Sequence, residues 1–174
     1  MSHDDLLARL ALTPPTLAAA AQGGGEEQLR RRPAERAWSA TEIACHLRDV
    51  DELFQVRFHT ILALVDPPVL VFGARPDDLV AWHIVGAVGH PLDPDRWAED
   101  RQYRRADTAA AVAAFARRRG EIVRLLRGLE PREWERSGVH LRRGRLPLTE
   151  WAAGLARHDD NHLDQLRRAP DGRA

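Results

Sequence analysis

Apolar residues recur every three or four positions over four separate stretches of this chain. This spacing is typical of helices that bury one face. The stretches cover residues 6–17, 43–62, 112–129 and 151–166. Because almost no segment alternates between apolar and polar residues as a half-buried strand does, the pattern predicts an all-α fold. Four amphipathic helices of this length are expected to pack as a four-helix bundle.

Local signals predict where these helices begin and end. Ser39 and Glu42 form a capping box that begins the second helix, and Asp66-Pro67-Pro68 ends it. In the first stretch Pro14-Pro15 interrupts the pattern, so Thr13 is predicted to cap a restarted helix. Asp107 is predicted to cap a third helix over residues 108–128. The last helix is predicted over about residues 148–168, and the region between 67 and 106 gives the weakest pattern, with a short helix predicted at 80–88.

Composition describes one soluble domain over residues 1–174. Apolar residues make up 44% and charged residues 30% of the chain, values typical of globular proteins. No apolar run is long enough to span a bilayer, and the first residues lack a signal-peptide pattern, so we expect a cytoplasmic protein without membrane contact. The formal net charge is +0 with scattered basic residues, which argues against a nucleic-acid partner.

Two features of composition exclude reaction classes. All 26 basic residues are arginine, and the absence of lysine excludes Schiff-base chemistry and a Walker-type phosphate loop. Cys45 is the one cysteine, so intramolecular disulfides and cysteine-rich zinc motifs are excluded as well. We expect Cys45 to be a buried, inert thiol, and we assign the five tryptophans to packing near helix ends.

Three histidines form the candidate metal site. His158 and His162 lie one helical turn apart, so both rings leave the same face of the last helix. His46 lies on the apolar face of the second long helix. If the three rings converge, they can hold zinc, nickel, cobalt or iron and leave a coordination position open for water or substrate. The alternative is that the three rings only pack in the core.

Acidic residues flank these histidines. Asp49 and Asp159 are candidates to orient the ligand rings through hydrogen bonds. Asp51 and Asp160 could do the same, but we interpret both as solvated helix surface. Beyond these carboxylates, the sequence offers no convincing general base.

Two further residues are candidates for the edge of the site. Arg57 lies three turns after His46 on the same face and could bind a carboxylate of a substrate or of a thiol cofactor, or form a structural ion pair. His140 follows a segment predicted to be irregular, where binding residues are common; the alternative is a surface histidine. The long connection over residues 67–106 is interpreted as a crossover or lid.

The motifs together resemble the DinB-like superfamily, also called the DinB/YfiT-like metalloenzymes. The resemblance rests on W-S-x-x-E-I-x-x-H-L at 38–47 and H-D-x-x-H-L-x-Q-L at 158–166, in the family's order and separation. The segments 95–98 and 138–140 agree too. It covers most of the chain, from about residue 6 to 166.

This resemblance implies a four-helix bundle with a long crossover between the second and third helices. It also implies a divalent metal, most often nickel or zinc, bound by His46, His158 and His162. Members include transferases and isomerases that use a low-molecular-weight thiol, and homodimers are common. The segment 69–91 is longer than the family's usual connection, and it could cover the site or form a partner surface.

Two functions follow as hypotheses. The leading one is a metal-dependent enzyme in which the ion activates a thiol or water, for S-transfer or hydrolysis. The competing one is a non-catalytic bundle that binds a metal or small ligand, for example as a stress-linked binding protein.

Overall fold

Four long helices form the body of the protein. The computed structural model describes residues 1–22, 24–35, 37–71 and 93–168. In chain order the helices are α1 (His3–Gln22), α2 (Glu26–Arg30), α3 (Ala40–Ala63), α4 (Pro94–Asp100), α5 (Thr108–Arg127), α6 (Pro131–Trp134) and α7 (Leu148–Arg168). The predicted all-α four-helix bundle is therefore confirmed, with α1, α3, α5 and α7 as its members.

The order of the long helices around the bundle differs from their order in the chain. Helix α5 packs against both α1 and α3, and α7 packs against the same two helices. Helices α1 and α3 therefore lie diagonally across the bundle, and the chain crosses over between α3 and α5. This is the long crossover that the resemblance implies. The part of the crossover at 72–92, including the helix predicted at 80–88 and most of the 69–91 segment, lies outside the described residues.

The predicted helix starts are confirmed for α3 and α5. The Ser39 side chain accepts a hydrogen bond from the Glu42 amide at 3.3 Å, and the Glu42 carboxylate accepts one from the Ser39 amide at 2.9 Å. Asp107 accepts a hydrogen bond from the Ala110 amide at 2.8 Å. These contacts satisfy amides that a helix start leaves without intrahelical partners.

The predicted break in the first helix is wrong. Helix α1 runs without interruption through Pro14 and Pro15, and Thr13 is buried inside it instead of capping a new helix. Proline at position 14 has no N–H for the carbonyl of Leu10, one turn earlier. The Arg119 guanidinium of α5 donates a hydrogen bond to that carbonyl at 3.2 Å instead. A tertiary contact thus replaces the missing helical one.

A small three-stranded sheet lies beside the bundle, although the apolar pattern contains almost no strand signal. Its strands are β1 (Pro68–Val69), β2 (Ser137–His140) and β3 (Gly144–Pro147). β1 is parallel and β3 antiparallel to the central β2. Strands of two to four residues are too short to show a reliable alternation. The segment before His140 is consequently a strand, not irregular backbone as predicted.

The sheet packs closely on the end of α3. A Cβ atom at Gly138 would lie 2.5 Å from a Val69 methyl carbon and 2.8 Å from an Ile61 side-chain carbon, closer than packed carbon atoms approach. Glycine at this position therefore lets β2 lie against α3.

Candidate metal centre

His46 is held inside the bundle by a helix with a well-defined start. The capping box at Ser39 begins α3 two turns before His46, and Arg32 binds the buried Glu42 carboxylate with a 2.6 Å contact. The His46 side chain is 2% exposed. Its ring faces α7, where His158 and His162 lie one turn apart.

The structure brings the three histidine rings together. Nε2 of His46 lies 3.0 Å from Nε2 of His158, and Nε2 of His162 lies 3.2 Å from the same atom. One ligand atom from each ring falls within a mutual distance of 4.8 Å. The predicted convergence of these residues is thus present, and the same ring nitrogen of each histidine points to the shared position.

These distances fit a divalent ion. Imidazole nitrogens about 2.0–2.1 Å from a tetrahedral ion are separated by about 3.3 Å, which is close to the two Nε2 separations found here. Three neutral nitrogen donors form the kind of ligand set that zinc and nickel accept. In the described part of the chain, no further His, Cys, Asp or Glu atom joins this group.

Burial keeps two of the rings neutral. Loss of hydration, followed by repulsion from His158 and His162, lowers the pKa of His46 to about 2. Burial and then His158 lower the pKa of His162 to about 4. A histidine must be deprotonated to bind a metal, so these two rings are ready to bind near pH 7.

Two residues near the rings had no site role in the sequence-based predictions. Nδ1 of His162 lies 2.9 Å from the Gln165 side-chain oxygen. Because that oxygen only accepts hydrogen bonds, the contact places the ring proton on Nδ1. The lone pair on Nε2 is then available to bind a metal ion. The Trp38 ring centroid lies 4.7 Å from that of His46 and 6.0 Å from that of His162. Both residues belong to the motifs quoted for the resemblance, and membership of those motifs is the signal that could have identified them.

Asp159 is buried behind His158. Its Oδ1 atom lies 3.9 Å from Nδ1 of His158, and the Thr13 hydroxyl donates a hydrogen bond to Oδ2 at 2.9 Å. Arg119 of α5 binds the same carboxylate with two nitrogen atoms. Burial opposes ionisation, but the contacts with His158, Arg119 and Thr13 hold the pKa of Asp159 below its usual value.

The other three candidates make contacts elsewhere. Both carboxylate oxygens of Asp49 are occupied, by Arg48 at 2.7 Å and by Arg101 and the Tyr103 hydroxyl at 2.6 Å. Arg57 donates a hydrogen bond to the carbonyl of residue 70 at 2.8 Å, and burial lowers its pKa to about 10.

His140 lies nearer to Arg57 than to the three rings. Its Nδ1 accepts hydrogen bonds from the backbone amides of Arg142 and Arg143 at 3.1 and 3.3 Å. The Trp151 ring lies 5.4 Å from the His140 ring and 5.7 Å from the Arg57 guanidinium carbon. Because Arg57 follows His46 by eleven residues, it lies about 16 Å further along α3.

The predictions for Cys45, Asp160 and Asp51 have different outcomes. Cys45 is buried, as predicted, and burial raises the pKa of its thiol to about 11. Asp160 is partly exposed and paired with Arg9, as expected at a helix surface. The same interpretation of Asp51 is wrong, because its side chain is 0% exposed and bound by Arg119 at 2.7 Å.

Comparison with known proteins agrees with this helical bundle. The sequence matches the profile of the DinB superfamily over residues 9–166. The chain therefore belongs to the DinB superfamily. No curated protein gives a significant sequence match.

A solved structure supports the fold. YfiT from Bacillus subtilis, described as a probable metal-dependent hydrolase with an unusual four-helix bundle topology, superposes with a TM-score of 0.79. Its sequence is 19% identical, and the alignment covers 100% of this chain and 91% of YfiT. Within the described ranges, no helix is both long and apolar enough to cross a membrane.

Proposed function

We propose that this protein is a metal-dependent enzyme whose divalent ion is bound by His46, His158 and His162. The observation that carries the proposal is the approach of three Nε2 atoms to one position. Those of His46 and His162 lie 3.0 and 3.2 Å from that of His158. Three protein ligands leave a position open, and an open position distinguishes catalytic metal sites from closed structural ones. Nickel and zinc are the proposed metals.

The surrounding residues prepare the rings for this role. Low pKa values keep His46 and His162 unprotonated, and Gln165 holds His162 with its Nε2 toward the shared position. The Trp38 ring lies beside two of the three rings. A divalent ion, when bound, lowers the pKa of a water or thiol at the open position and so supplies a nucleophile near neutral pH.

We propose hydrolysis as the reaction, in keeping with the description of YfiT as a probable metal-dependent hydrolase. Transfer of a low-molecular-weight thiol, the second reaction implied by the resemblance, would use the same three histidines. We further propose a homodimer, because Val56, Leu64 and Val65 expose apolar surface near the end of α3. Because the net charge is +0, we propose no nucleic-acid partner.

Cobalt spectroscopy tests whether the site has an open position. The Co²⁺-loaded protein should show a visible absorption spectrum that shifts when azide or a thiol is added, because either can occupy a free coordination position. A spectrum that neither addition changes would identify a closed binding site, the competing hypothesis. Assays of ester and amide hydrolysis, and of thiol transfer with added thiol, then separate the two reactions. H158A is the inactive control, and H140A is the matched histidine control.

A further inference from the structure

One buried arginine contacts all the other long helices of the bundle. The Arg119 guanidinium on α5 binds Asp51 on α3 through Nε at 3.0 Å and Nη2 at 2.7 Å. It binds Asp159 on α7 through Nη1 and Nη2. Nη1 also donates to the Leu10 carbonyl on α1 at 3.2 Å. The guanidinium is 1% exposed, so water does not compete for these contacts.

The contact with α1 depends on Pro14. In a helix without proline the amide of residue 14 would donate to the Leu10 carbonyl, but proline has no N–H. Helix α1 therefore presents a buried acceptor directly to Arg119. Thr13, next to this proline, donates to Asp159, so α1 supports the carboxylate on both sides.

Arg119 is the cationic partner of two buried carboxylates, those of Asp51 and Asp159. Asp51 and Asp159 are both buried, and a buried carboxylate without a cationic partner is strongly unfavourable. The five N–H donors of the arginine fork make four hydrogen bonds to the two carboxylates and one to the Leu10 carbonyl, whereas the ammonium group of a lysine has three donors. Among the described residues, Thr13 and Arg119 supply the hydrogen bonds within 3.0 Å that hold the Asp159 carboxylate in place.

Asp159 in turn faces the ring of a metal ligand. Nδ1 of His158 is buried and has no hydrogen-bond partner among the described residues, and its separation of 3.9 Å from Asp159 Oδ1 is slightly longer than a hydrogen bond. A movement of about 0.7 Å would bring the two atoms within range. A ligand histidine commonly donates its second N–H to a carboxylate, which fixes the tautomer that leaves the other nitrogen free to bind.

We propose that Arg119 is a positioning residue of the metal centre: it holds Asp159 where that carboxylate stabilises the His158 tautomer with the proton on Nδ1. Asp51 and the Leu10 carbonyl fix the guanidinium from two other helices. The orientation of His158 therefore depends on the packing of the whole bundle. This inference rests on the proposed metal site, but the tautomer of His158 can be measured in the metal-free protein.

The test compares R119K with R118K by ¹⁵N NMR of the histidine rings and by metal affinity. Arg118 is the adjacent residue and binds Glu52 and the Arg48 carbonyl at a partly exposed position, so R118K is a matched substitution. In R119K we expect His158 to lose its preference for the Nδ1–H tautomer and the Kd for Zn²⁺ to rise about 10- to 100-fold. R118K should change that Kd by no more than about twofold.

D159N gives an independent result if R119K does not fold, because the pair between Arg119 and Asp51 remains. It should change the tautomer and the Kd as R119K does. An unchanged His158 tautomer in folded R119K or D159N would overturn the proposal. A Kd that follows thermal stability equally in R119K and in L126A, a variant at a buried apolar residue of the same helix, would also overturn it, since Arg119 would then act only through folding. Failure of the wild-type protein to bind either Zn²⁺ or Ni²⁺ would refute the proposed function, whereas the tautomer in metal-free protein tests the positioning role separately.

Discussion

Nε2 of His46 lies 3.0 Å from Nε2 of His158, although the two residues are 112 positions apart. The contact exists because α3 and α7 are neighbours in the bundle and run antiparallel: eleven residues beyond His46, Arg57 lies over Trp151, which precedes His158. The order of the helices around the bundle thus assembles the candidate site from two distant segments of sequence.

Replacement of Trp38 tests whether this residue forms a wall of the metal centre. A paramagnetic ion such as Co²⁺ or Ni²⁺ bound between the rings should quench its fluorescence, because the Trp38 ring lies 4.7 Å from the His46 ring. We expect W38F to remove most of the metal-dependent quenching. W134F is the control, since Trp134 stacks on His3 instead. Equal quenching in W38F and the wild-type protein would show that Trp38 does not adjoin the ion.

Gln165 is predicted to strengthen metal binding through His162. Its side-chain oxygen lies 2.9 Å from Nδ1 of that ring, and loss of such a contact typically weakens metal affinity about 10- to 100-fold. Isothermal titration of Q165A with Zn²⁺ should show this loss, while Q165E, which keeps an acceptor, should retain most of the affinity. Unchanged affinity in Q165A would mean that His162 needs no orienting partner.

The sequence predicted the convergence of the three histidines better than it predicted their surroundings. A spacing of four residues in a helix brings His158 and His162 to one face whatever the tertiary structure, and the capping box fixes the helix that carries His46. Arg119 carries its own signal, because a charged residue lies between Phe115 and Ile122 on the buried stripe of α5. That position indicates a buried partner but cannot identify Asp51 and Asp159, which come from other helices.

The metal-free protein should become less stable as the pH falls. The folded-state pKa values of His46 and His162, about 2 and about 4, lie below the value of about 6.5 for an unfolded chain. Between these values the unfolded state binds more protons than the folded state, so the free energy of unfolding falls as the pH falls. The fall should begin near pH 6.5 and continue to about pH 4 for His162 and lower for His46.

Thermal unfolding of the double variant H46Q/H162Q isolates this contribution. Glutamine does not titrate, whereas the other ionisable groups are shared by the two proteins. As the pH is lowered from 7.5 to 4.5, the Tm of the wild-type protein should therefore fall more than the Tm of the variant. A difference that stays constant with pH would contradict the low pKa values.

Pro14 is predicted to lower stability. A proline inside a helix costs about 3 kcal/mol, and the hydrogen bond from Arg119 to Leu10 compensates for part of that cost. We expect P14A to raise the free energy of unfolding by about 1–2 kcal/mol, measured by urea denaturation. P15A is the comparison: Pro15 also lies inside α1, so its replacement should raise the free energy of unfolding as well. A less stable P14A would mean that α1 needs the proline to keep its contact with Arg119.

The helix through Pro14 and the small sheet show where sequence reasoning failed. Proline is a reliable signal of a helix boundary only when no other group binds the carbonyl it releases, and here that group comes from a helix more than a hundred residues away. The strands β2 and β3 are set by a tight turn and by contact of Gly138 with Ile61 and Val69. Such contacts are tertiary, and a local pattern does not contain them.

The proposed metal centre requires that His46, His158 and His162 bind one divalent ion. The most direct measurement is the metal content of protein purified without an affinity tag and reconstituted separately with Zn²⁺ and Ni²⁺. We predict about one equivalent per chain in the wild-type protein and in H140A, and less than about a tenth of an equivalent in H46A, H158A and H162A. A wild-type protein with less than about a tenth of an equivalent, or the same stoichiometry in all five proteins, would contradict the account.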